Sequence, residues 1–326
     1  MTQADTQRTA MSLKIEPAMN HSDYKILQGD CLTTLKSLDD CSVNTCVTSP
    51  PYFGLRDYGT TAQIGLEDTP ELFTSKLVEV FREVRRVLKQ DGTLWLNLGD
   101  SYAGSGKGPA GNLKDSGERH LEHITKPYTD DTLKPKDLMG IPWRVAFALQ
   151  ADGWYLRQDI IWSKPNPMPE SVTDRCTKAH EYIFLLSKSR KYYFDNEAIK
   201  EPAHTTDKSN RNRDDTKLNN TPGRTRMAGL KTNHYTTKNK RSVWNVSTKP
   251  YKGAHFATFP ADLIKPCILA GCPEGGTVLD PFGGSGTTAQ VSLQNNRNAI
   301  LCELNDDYIK LAEERIKKNT AQLQLL

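Results

Sequence analysis

Short apolar runs alternate along the chain with longer segments in which apolar residues recur every three or four positions. The short runs predict strands at residues 24–28, 42–47, 93–98, 155–162, 181–186, 277–280 and 298–303, with 191–194 as a hairpin partner of 181–186. The longer periodicity predicts helices over residues 31–38, 71–88, 142–151, 285–294 and 306–318. Asp91-Gly92 is expected to end the second helix, and Asp306 to cap the last.

This order of elements predicts an α/β fold with a doubly wound, largely parallel, Rossmann-like sheet. Three segments lack periodicity. They are a loose leader over residues 1–22, a long mobile loop over about 102–137, and a stretch from Lys200 to Lys252 that is poor in aliphatic residues.

Composition narrows the class of protein. In 326 residues, 37% are hydrophobic and 25% charged, which is typical of a soluble globular protein. No apolar run is long enough for a membrane span, and the N-terminus lacks the pattern of a secretory signal. The seven cysteines form no CxxC pair and no zinc-type cluster, so we expect reduced thiols in a cytoplasmic protein and no metal site.

Positive charge is concentrated in one segment, although the net charge is only +4. Within residues 200–252, Lys and Arg side chains outnumber the acids, among them Asp207, Asp214 and Asp215. One interpretation is a disordered insert. The other is a segment that contacts phosphates, with His234, Tyr235 and Trp244 available for bases.

A glycine-rich turn follows a predicted strand in "TVLDPFGGSGTTAQ", residues 277–290. It has no lysine, which excludes a phosphate-binding NTPase loop. A nicotinamide dehydrogenase remains possible, because Glu303 could bind ribose hydroxyls. Asp280, however, would repel a pyrophosphate and suits an ammonium group. S-adenosylmethionine carries that ammonium, a sulfonium and a ribose.

A second unusual stretch, Ser49-Pro50-Pro51-Tyr52, comes directly after another predicted strand. Two consecutive prolines remove two backbone donors and fix two φ angles, so the segment can be neither helix nor inner strand. It therefore holds a hydroxyl and an aromatic ring on a rigid, extended backbone.

Together the two motifs resemble those of the amino-methylating DNA methyltransferases. Asp280 to Thr288 resembles the cofactor loop of that family, and Thr48 to Tyr52 its catalytic tetrapeptide; "HFATFP" at 255–260 and Gly29-Asp30 are further likenesses. The catalytic motif precedes the cofactor motif, as in the permuted β group of the family. The resemblance implies a seven-stranded, mostly parallel sheet with one reversed strand. It divides the chain into a catalytic half (23–199), a target-recognition insert (200–254) and a cofactor-binding half (255–326).

The resemblance also implies roles for the tetrapeptide. The Ser49 side chain and the Pro50 carbonyl would accept the two hydrogens of an exocyclic amine, so that its lone pair points at the sulfonium methyl group. Pro51 would stiffen the backbone, and Tyr52 would stack on a base flipped out of the duplex. The lone Pro266-Cys267 dipeptide lies in an apolar helical stretch and is expected to be core rather than a carbon-5 methylating nucleophile.

For the cofactor, the resemblance assigns Asp280 to the methionine ammonium, Glu303 to the ribose and Asp30 to the adenine amine. A simple helix cap is the alternative for Asp280, and a turn residue for Asp30. Phe282 and Phe259 would wall the adenine, with an ordinary core role as the alternative. The remaining cofactor-loop candidates are Pro281, Gly283, Gly284, Gly286 and Thr287.

Serine at the first tetrapeptide position is typical of N4-cytosine methylation in that family, whereas Asp or Asn is typical of N6-adenine methylation. The expected substrate is double-stranded DNA in a bacterial or phage-infected cell, with a cognate restriction endonuclease as a possible partner. Methylation of RNA or protein, an oxidoreductase and an inactive DNA-binding protein are the alternatives. The expected DNA contacts are Arg211, Arg213, Arg224, Arg226, Lys240 and Arg241.

Overall fold

The computed structural model describes residues 23–55, 63–104, 128–203, 236–248 and 259–323. The strands in these ranges are β1 (Tyr24–Gln28), β2 (Val43–Thr48), β3 (Leu88–Leu98), β4 (Tyr155–Ser163), β5 (His180–Ser187), β6 (Glu201–Pro202), β7 (Thr237–Lys238), β8 (Val243–Asn245), β9 (Thr277–Asp280) and β10 (Asn298–Glu303). The helices are α1 (Cys31–Lys36), α2 (Pro70–Val87), α3 (Ile141–Ala151), α4 (Ala261–Gly271), α5 (Thr287–Leu293) and α6 (Asp306–Leu323).

Eight of these strands form one sheet in the order β1-β10-β9-β2-β3-β5-β4-β8. Every neighbouring pair is parallel except the two pairs that contain β5. The predicted α/β class and the single reversed strand are therefore confirmed. The strand count is eight rather than seven because β8 pairs with β4 at the edge.

Both faces of the sheet are covered, as alternating side chains of β3 show. Leu94 and Leu96 pack in one hydrophobic cluster with α1, α2 and α3, whereas Trp95 packs in a second cluster with α4. On α2, Phe73, Leu77 and Phe81 are fully buried at the spacing that predicted the helix. No helix in the described ranges is long and apolar enough to cross a membrane.

Several local predictions were wrong. Asp91-Gly92 does not end α2; it lies inside β3, which begins at Leu88 because that buried residue pairs with Val43 of β2. Residues 191–194 form no strand. Asn305, not Asp306, caps α6, since its side chain accepts from the Asp307 backbone N–H at 2.8 Å.

Part of the basic segment belongs to the sheet. Trp244 on β8 is 5% exposed, and its indole N–H donates to the Arg241 carbonyl at 2.6 Å. The indole is therefore a core side chain and does not offer its ring to bases. His234, Tyr235 and most of the segment's basic residues lie outside the described residues, as do 105–127 of the predicted mobile loop.

All strands except β5 point the same way within the large sheet, so their carboxyl ends share one edge, here called the carboxyl edge. In parallel α/β sheets ligands bind at this edge. It carries the ends of β1, β2, β9 and β10, which lie side by side although their sequences are far apart.

Candidate active site

The tetrapeptide leaves the sheet at the carboxyl edge, directly after β2. Pro50 is buried, while Ser49, Pro51 and Tyr52 are half-buried. The Ser49 Oγ lies 3.4 Å from the Tyr52 Oη, too far for a strong hydrogen bond between two hydroxyls. The Ser49 hydroxyl therefore lies beside the Tyr52 hydroxyl and keeps its capacity to accept a hydrogen bond from a ligand.

A buried carboxylate joins this segment to the glycine-rich turn. Asp280, the last residue of β9, is 1% exposed. Its carboxylate accepts hydrogen bonds from the Thr48 hydroxyl and the Thr288 hydroxyl, each at 2.6 Å, and from the Phe282 backbone N–H at 3.0 Å. Burial raises the pKa of Asp280 to about 6, against the lowering effect of these donors.

Asp280 is therefore more than a helix cap. The Thr48 bond spans 232 positions in the sequence and sets the residue before Ser49 against the cofactor loop. Carboxylate oxygens have further lone pairs, so these bonds leave acceptor capacity for an ammonium group. Contact with a methionine ammonium stays a prediction.

Two further carboxylates lie at the ends of neighbouring strands. Asp30 follows β1 and caps α1, accepting from the Thr33 N–H at 3.1 Å. Glu303 ends β10 and accepts from the backbone N–H groups of Gly284 at 2.7 Å and Asn305 at 2.9 Å. Burial raises the pKa of Glu303. The capping and loop-holding bonds are seen; the adenine and ribose roles remain predictions.

The three glycines of the turn have different structural roles. A Cβ on Gly283 would lie 2.8 Å from the Leu301 Cβ, and one on Gly286 would lie 2.8 Å from the Ala312 Cβ. These two glycines are therefore required by packing against β10 and α6. A Cβ on Gly284 would meet only a carbonyl at 3.9 Å, although its φ of +50° also favours glycine. Among the three, Gly284 offers the backbone that a ligand could approach.

The remaining cofactor-loop candidates lie in different environments. Pro281 is buried. Phe282 is half-buried and packs against the hydrophobic cluster that contains α1 to α3, whereas Phe259 packs against the cluster that contains α4. Thr287 is buried, and its hydroxyl accepts from the Arg315 Nη1 at 2.8 Å. This bond ties α5 to α6, which is a structural role that the motif did not indicate.

Tyr52 is held by a polar cluster that no sequence pattern indicated. The Tyr52 hydroxyl donates to the Glu181 Oε2 at 2.6 Å, and the Asn97 side-chain amide donates to the same oxygen at 3.2 Å. Lys164 forms a salt bridge with the other oxygen of Glu181, and both side chains are largely buried. These partners come from the ends of β3 and β4 and the start of β5, where no motif singled them out.

One side of the Tyr52 ring is pressed against the backbone. A Cβ on Gly99 would lie 2.6 Å from the Tyr52 Cε2, so this position after β3 requires glycine. The hydroxyl bond and the glycine contact fix the ring at two places. A fixed, half-exposed aromatic ring loses little conformational entropy when it stacks on a planar ligand.

Of the predicted DNA contacts, the structure describes only Lys240 and Arg241. The Arg241 guanidinium donates to Glu201 at 2.6 Å and is 74% exposed, while the Lys240 ammonium lies 5.0 Å from the centre of the Trp244 ring. Arg211, Arg213, Arg224 and Arg226 lie outside the described residues. Within the described ranges, no group of His, Cys, Asp and Glu could hold a metal ion.

Comparison with known proteins places both motifs in one family. The family model for DNA methylases that modify N6 or N4 matches residues 43–314, which include the tetrapeptide and the glycine-rich turn. The chain belongs to this family. It is 50% identical over 297 residues to the type II methyltransferase M.SmaI of Serratia marcescens, covering 91% of this chain and 92% of the relative. The corresponding values for M.Cfr9I of Citrobacter freundii are 48%, 90% and 87%.

Solved structures show the same fold. The PvuII DNA methyltransferase, whose name adds that it is cytosine-N4-specific, superposes with a TM-score of 0.59 at 18% identity, covering 92% of this chain and 91% of its own. A DNA modification methylase of Thermus thermophilus, solved with S-adenosyl-L-methionine, gives 0.56 at 22% identity, with 91% and 95% coverage. These likenesses show the fold, and family membership shows that the chain is a DNA methyltransferase.

In this methylase, Tyr52→Phe tests the cluster around Glu181. The substitution keeps the ring and removes a hydrogen bond to a charged acceptor, a contact worth about 1.5–3 kcal/mol. We expect kcat/KM for methyl transfer to duplex DNA to fall by roughly tenfold to a hundredfold. The effects of Tyr52→Phe and Glu181→Gln should be less than additive when the two are combined, because both substitutions remove the same hydrogen bond.

Tyr155→Phe is the matched control. Tyr155 is 46% exposed at the start of β4, at the opposite end of the strand from Lys164. Its substitution should leave kcat/KM unchanged. Equal activity of Tyr52→Phe and the unaltered enzyme would show that the hydroxyl anchor has no part in the reaction.

Proposed function

We propose that this methylase transfers a methyl group from S-adenosylmethionine to the exocyclic N4 of cytosine, flipped out of duplex DNA. The observation that carries the proposal is the Ser49 hydroxyl at the head of a rigid Pro-Pro segment. It lies between a fixed aromatic ring and a hydrogen-bonded link to the cofactor loop. These three features supply polar acceptors, a stacking surface and alignment at one point of the carboxyl edge.

The tetrapeptide residues address the weakness of the nucleophile. The lone pair of the cytosine amine is delocalised into the ring, so the amine attacks poorly while it stays planar. The Ser49 Oγ and the Pro50 carbonyl accept its two hydrogens, which holds the nitrogen closer to tetrahedral. Tyr52 stacks on the extruded base and offsets part of the few kcal/mol, roughly, that extrusion costs.

Positioning supplies most of the rate. When bound, S-adenosylmethionine provides an electrophilic methyl group on sulfur, so no covalent enzyme intermediate is required. The Thr48–Asp280 bond keeps the tetrapeptide in register with the loop that would hold this cofactor. Fixing two reactants in an aligned geometry removes much of the entropic barrier to their reaction.

The cofactor site consists of residues at adjacent strand ends. Asp280 would hold the methionine ammonium, Glu303 the ribose hydroxyls and Asp30 the adenine amine. The Gly284 turn would allow close approach of the cofactor, and Phe259 and Phe282 would wall the adenine. Family membership and the complex of the Thermus methylase with S-adenosyl-L-methionine support this choice of cofactor.

Ser49 carries the choice of base. Serine at this position favours N4-cytosine, and the name of the PvuII enzyme agrees with that choice. At 18% identity that likeness concerns the fold alone, so the argument depends on Ser49 itself. N6-adenine methylation is the alternative, since it needs the same flipped amine and the same acceptors.

Basic side chains between the two halves bind the DNA backbone in this proposal. Arg211, Arg213, Arg224, Arg226, Lys240 and Arg241 neutralise phosphates. Residues 200–254 thus serve as the target-recognition region between a catalytic half (23–199) and a cofactor half (255–326). We place the enzyme in the cytoplasm, beside a cognate restriction endonuclease, because its relatives are type II methyltransferases.

Product analysis tests the proposal directly. The purified enzyme is incubated with labelled S-adenosylmethionine and unmethylated duplex DNA, and the digested nucleosides are identified by mass spectrometry. We expect labelled N4-methylcytosine. N6-methyladenine would contradict the assignment of Ser49 to cytosine. Label on tRNA or protein but not on DNA would contradict the substrate class.

Ser49→Ala tests the role of the hydroxyl. Loss of one polar contact to the reacting amine should lower the single-turnover rate by roughly tenfold to a hundredfold. DNA binding should change by less than about twofold, because the base still stacks on Tyr52. Ser42→Ala, at an exposed serine that donates to the Asp39 carbonyl, serves as the control and should have no effect. Equal losses of binding and rate in Ser49→Ala would contradict the assigned role.

A further inference from the structure

The connector between β4 and β5, residues 164–179, lies at the carboxyl edge beside the tetrapeptide. β4 ends there at Ser163 and the reversed strand β5 begins there at His180. The first connector residue, Lys164, forms a salt bridge with Glu181, the residue that accepts from the Tyr52 hydroxyl. The connector thus starts from the cluster that fixes the proposed stacking ring.

The connector is held in place along its length. Asn166 and Thr248 exchange two hydrogen bonds, one from the Asn166 amide to the Thr248 carbonyl at 3.1 Å and one from the Thr248 N–H to the Asn166 Oδ1 at 2.9 Å. Arg175 pairs with Glu170 at 2.5 Å, and the Lys178 ammonium donates to the Asp100 carbonyl at 2.5 Å. Prolines at 165, 167 and 169 each fix a φ angle.

This rigid connector presents one apolar side chain to solvent. Met168, between Pro167 and Pro169, is 83% exposed, the largest value among the exposed large hydrophobic residues of the described ranges. It lies four residues beyond Lys164, so its Cα is within about 14 Å of that anchor. Met168 therefore lies near the Tyr52 ring, on which the flipped base would stack.

We propose that Met168 enters the DNA duplex and fills the space vacated by the flipped base. The inference rests on the proposed base-flipping function and adds the residue that stabilises the opened duplex. Proteins that unstack DNA insert apolar wedges, methionine among them. An unbranched thioether chain fills an irregular gap well. Burying such a side chain favours the inserted state by roughly tenfold to a hundredfold. Because Pro167 and Pro169 already restrict the backbone around Met168, insertion loses little backbone entropy.

Two other exposed apolar residues near this edge fit the role less well. Val172 is only 36% exposed, and Leu138 forms a strand-like bridge with Tyr102. Neither lies between prolines on a segment anchored to the Tyr52 cluster.

The test compares two duplexes that differ only opposite the target base. One has the normal partner base, and the other has an abasic site there, which removes pairing and makes extrusion easy. With the normal duplex, Met168→Ala should lower the single-turnover rate at subsaturating enzyme by about tenfold, the lower end of the gain expected on burial. With the abasic duplex its rate should lie within about twofold of the unaltered enzyme. Met168→Leu should retain most activity on both.

Phe147→Ala is the control, because Phe147 is a 56% exposed hydrophobic residue on α3, outside the connector. It should behave as the unaltered enzyme on both duplexes. An equal defect of Met168→Ala on both duplexes, or no defect on either, would overturn the wedge while leaving the methyltransferase function intact. Failure of the unaltered enzyme to methylate any duplex would overturn the proposed function and the wedge together. Transfer to adenine would overturn only the choice of base, and the comparison of duplexes would still decide the wedge.

Discussion

The hydrogen bond between the Thr48 hydroxyl and the Asp280 carboxylate is the constraint on which the proposed site depends. It joins the last residues of two adjacent strands, β2 and β9, and both residues are only 1% exposed. A carboxylate buried there without donors would be costly, and burial raises its pKa. Three donors stabilise it, and one of them is the residue that precedes Ser49. The same interaction therefore satisfies a buried charge and aligns two motifs.

The sheet topology makes this alignment possible. Because β2 lies next to β9, Thr48 and Asp280 meet at the carboxyl edge although they are 232 positions apart in the sequence. The reversed strand β5 adds a second contribution, since its first residues lie at the same edge and bring Glu181 to the Tyr52 hydroxyl. Reversal of one strand thus supplies an anchor that an all-parallel sheet would not place there.

Periodicity and local chemistry were enough to predict most of the sheet and both motifs. The buried face of α2 and the turn at Gly284 and Gly286 follow from short-range spacing and from φ angles that favour glycine. The family implied by the motifs was confirmed. Residue roles within the motifs, including those of Ser49 and Glu303, remain predictions.

The partners of these residues could not be predicted. Thr48 and Glu181 act through contacts that depend on which strands become neighbours, and no local pattern encodes that choice. β8 was missed because three residues in a polar, basic segment carry too little periodicity. The Trp244 indole is buried because β8 pairs with the edge of the sheet at β4. The start of β3 was misplaced for a similar reason, since pairing with β2 outweighed the turn preference of Asp91-Gly92.

The most direct measurement compares Thr48→Val with Thr45→Val. Both residues are buried threonines on β2, and the Thr45 hydroxyl bonds to Thr93 rather than to Asp280. Thr45→Val should destabilise the fold by about 1 kcal/mol, and Thr48→Val by about 1.5–3 kcal/mol, because the Thr48 hydroxyl donates to a carboxylate. If the link to Asp280 aligns the reactants, only Thr48→Val will slow single-turnover methyl transfer, by about tenfold or more, with S-adenosylmethionine and DNA both saturating. Equal transfer rates in the two variants would contradict the central role of this bond.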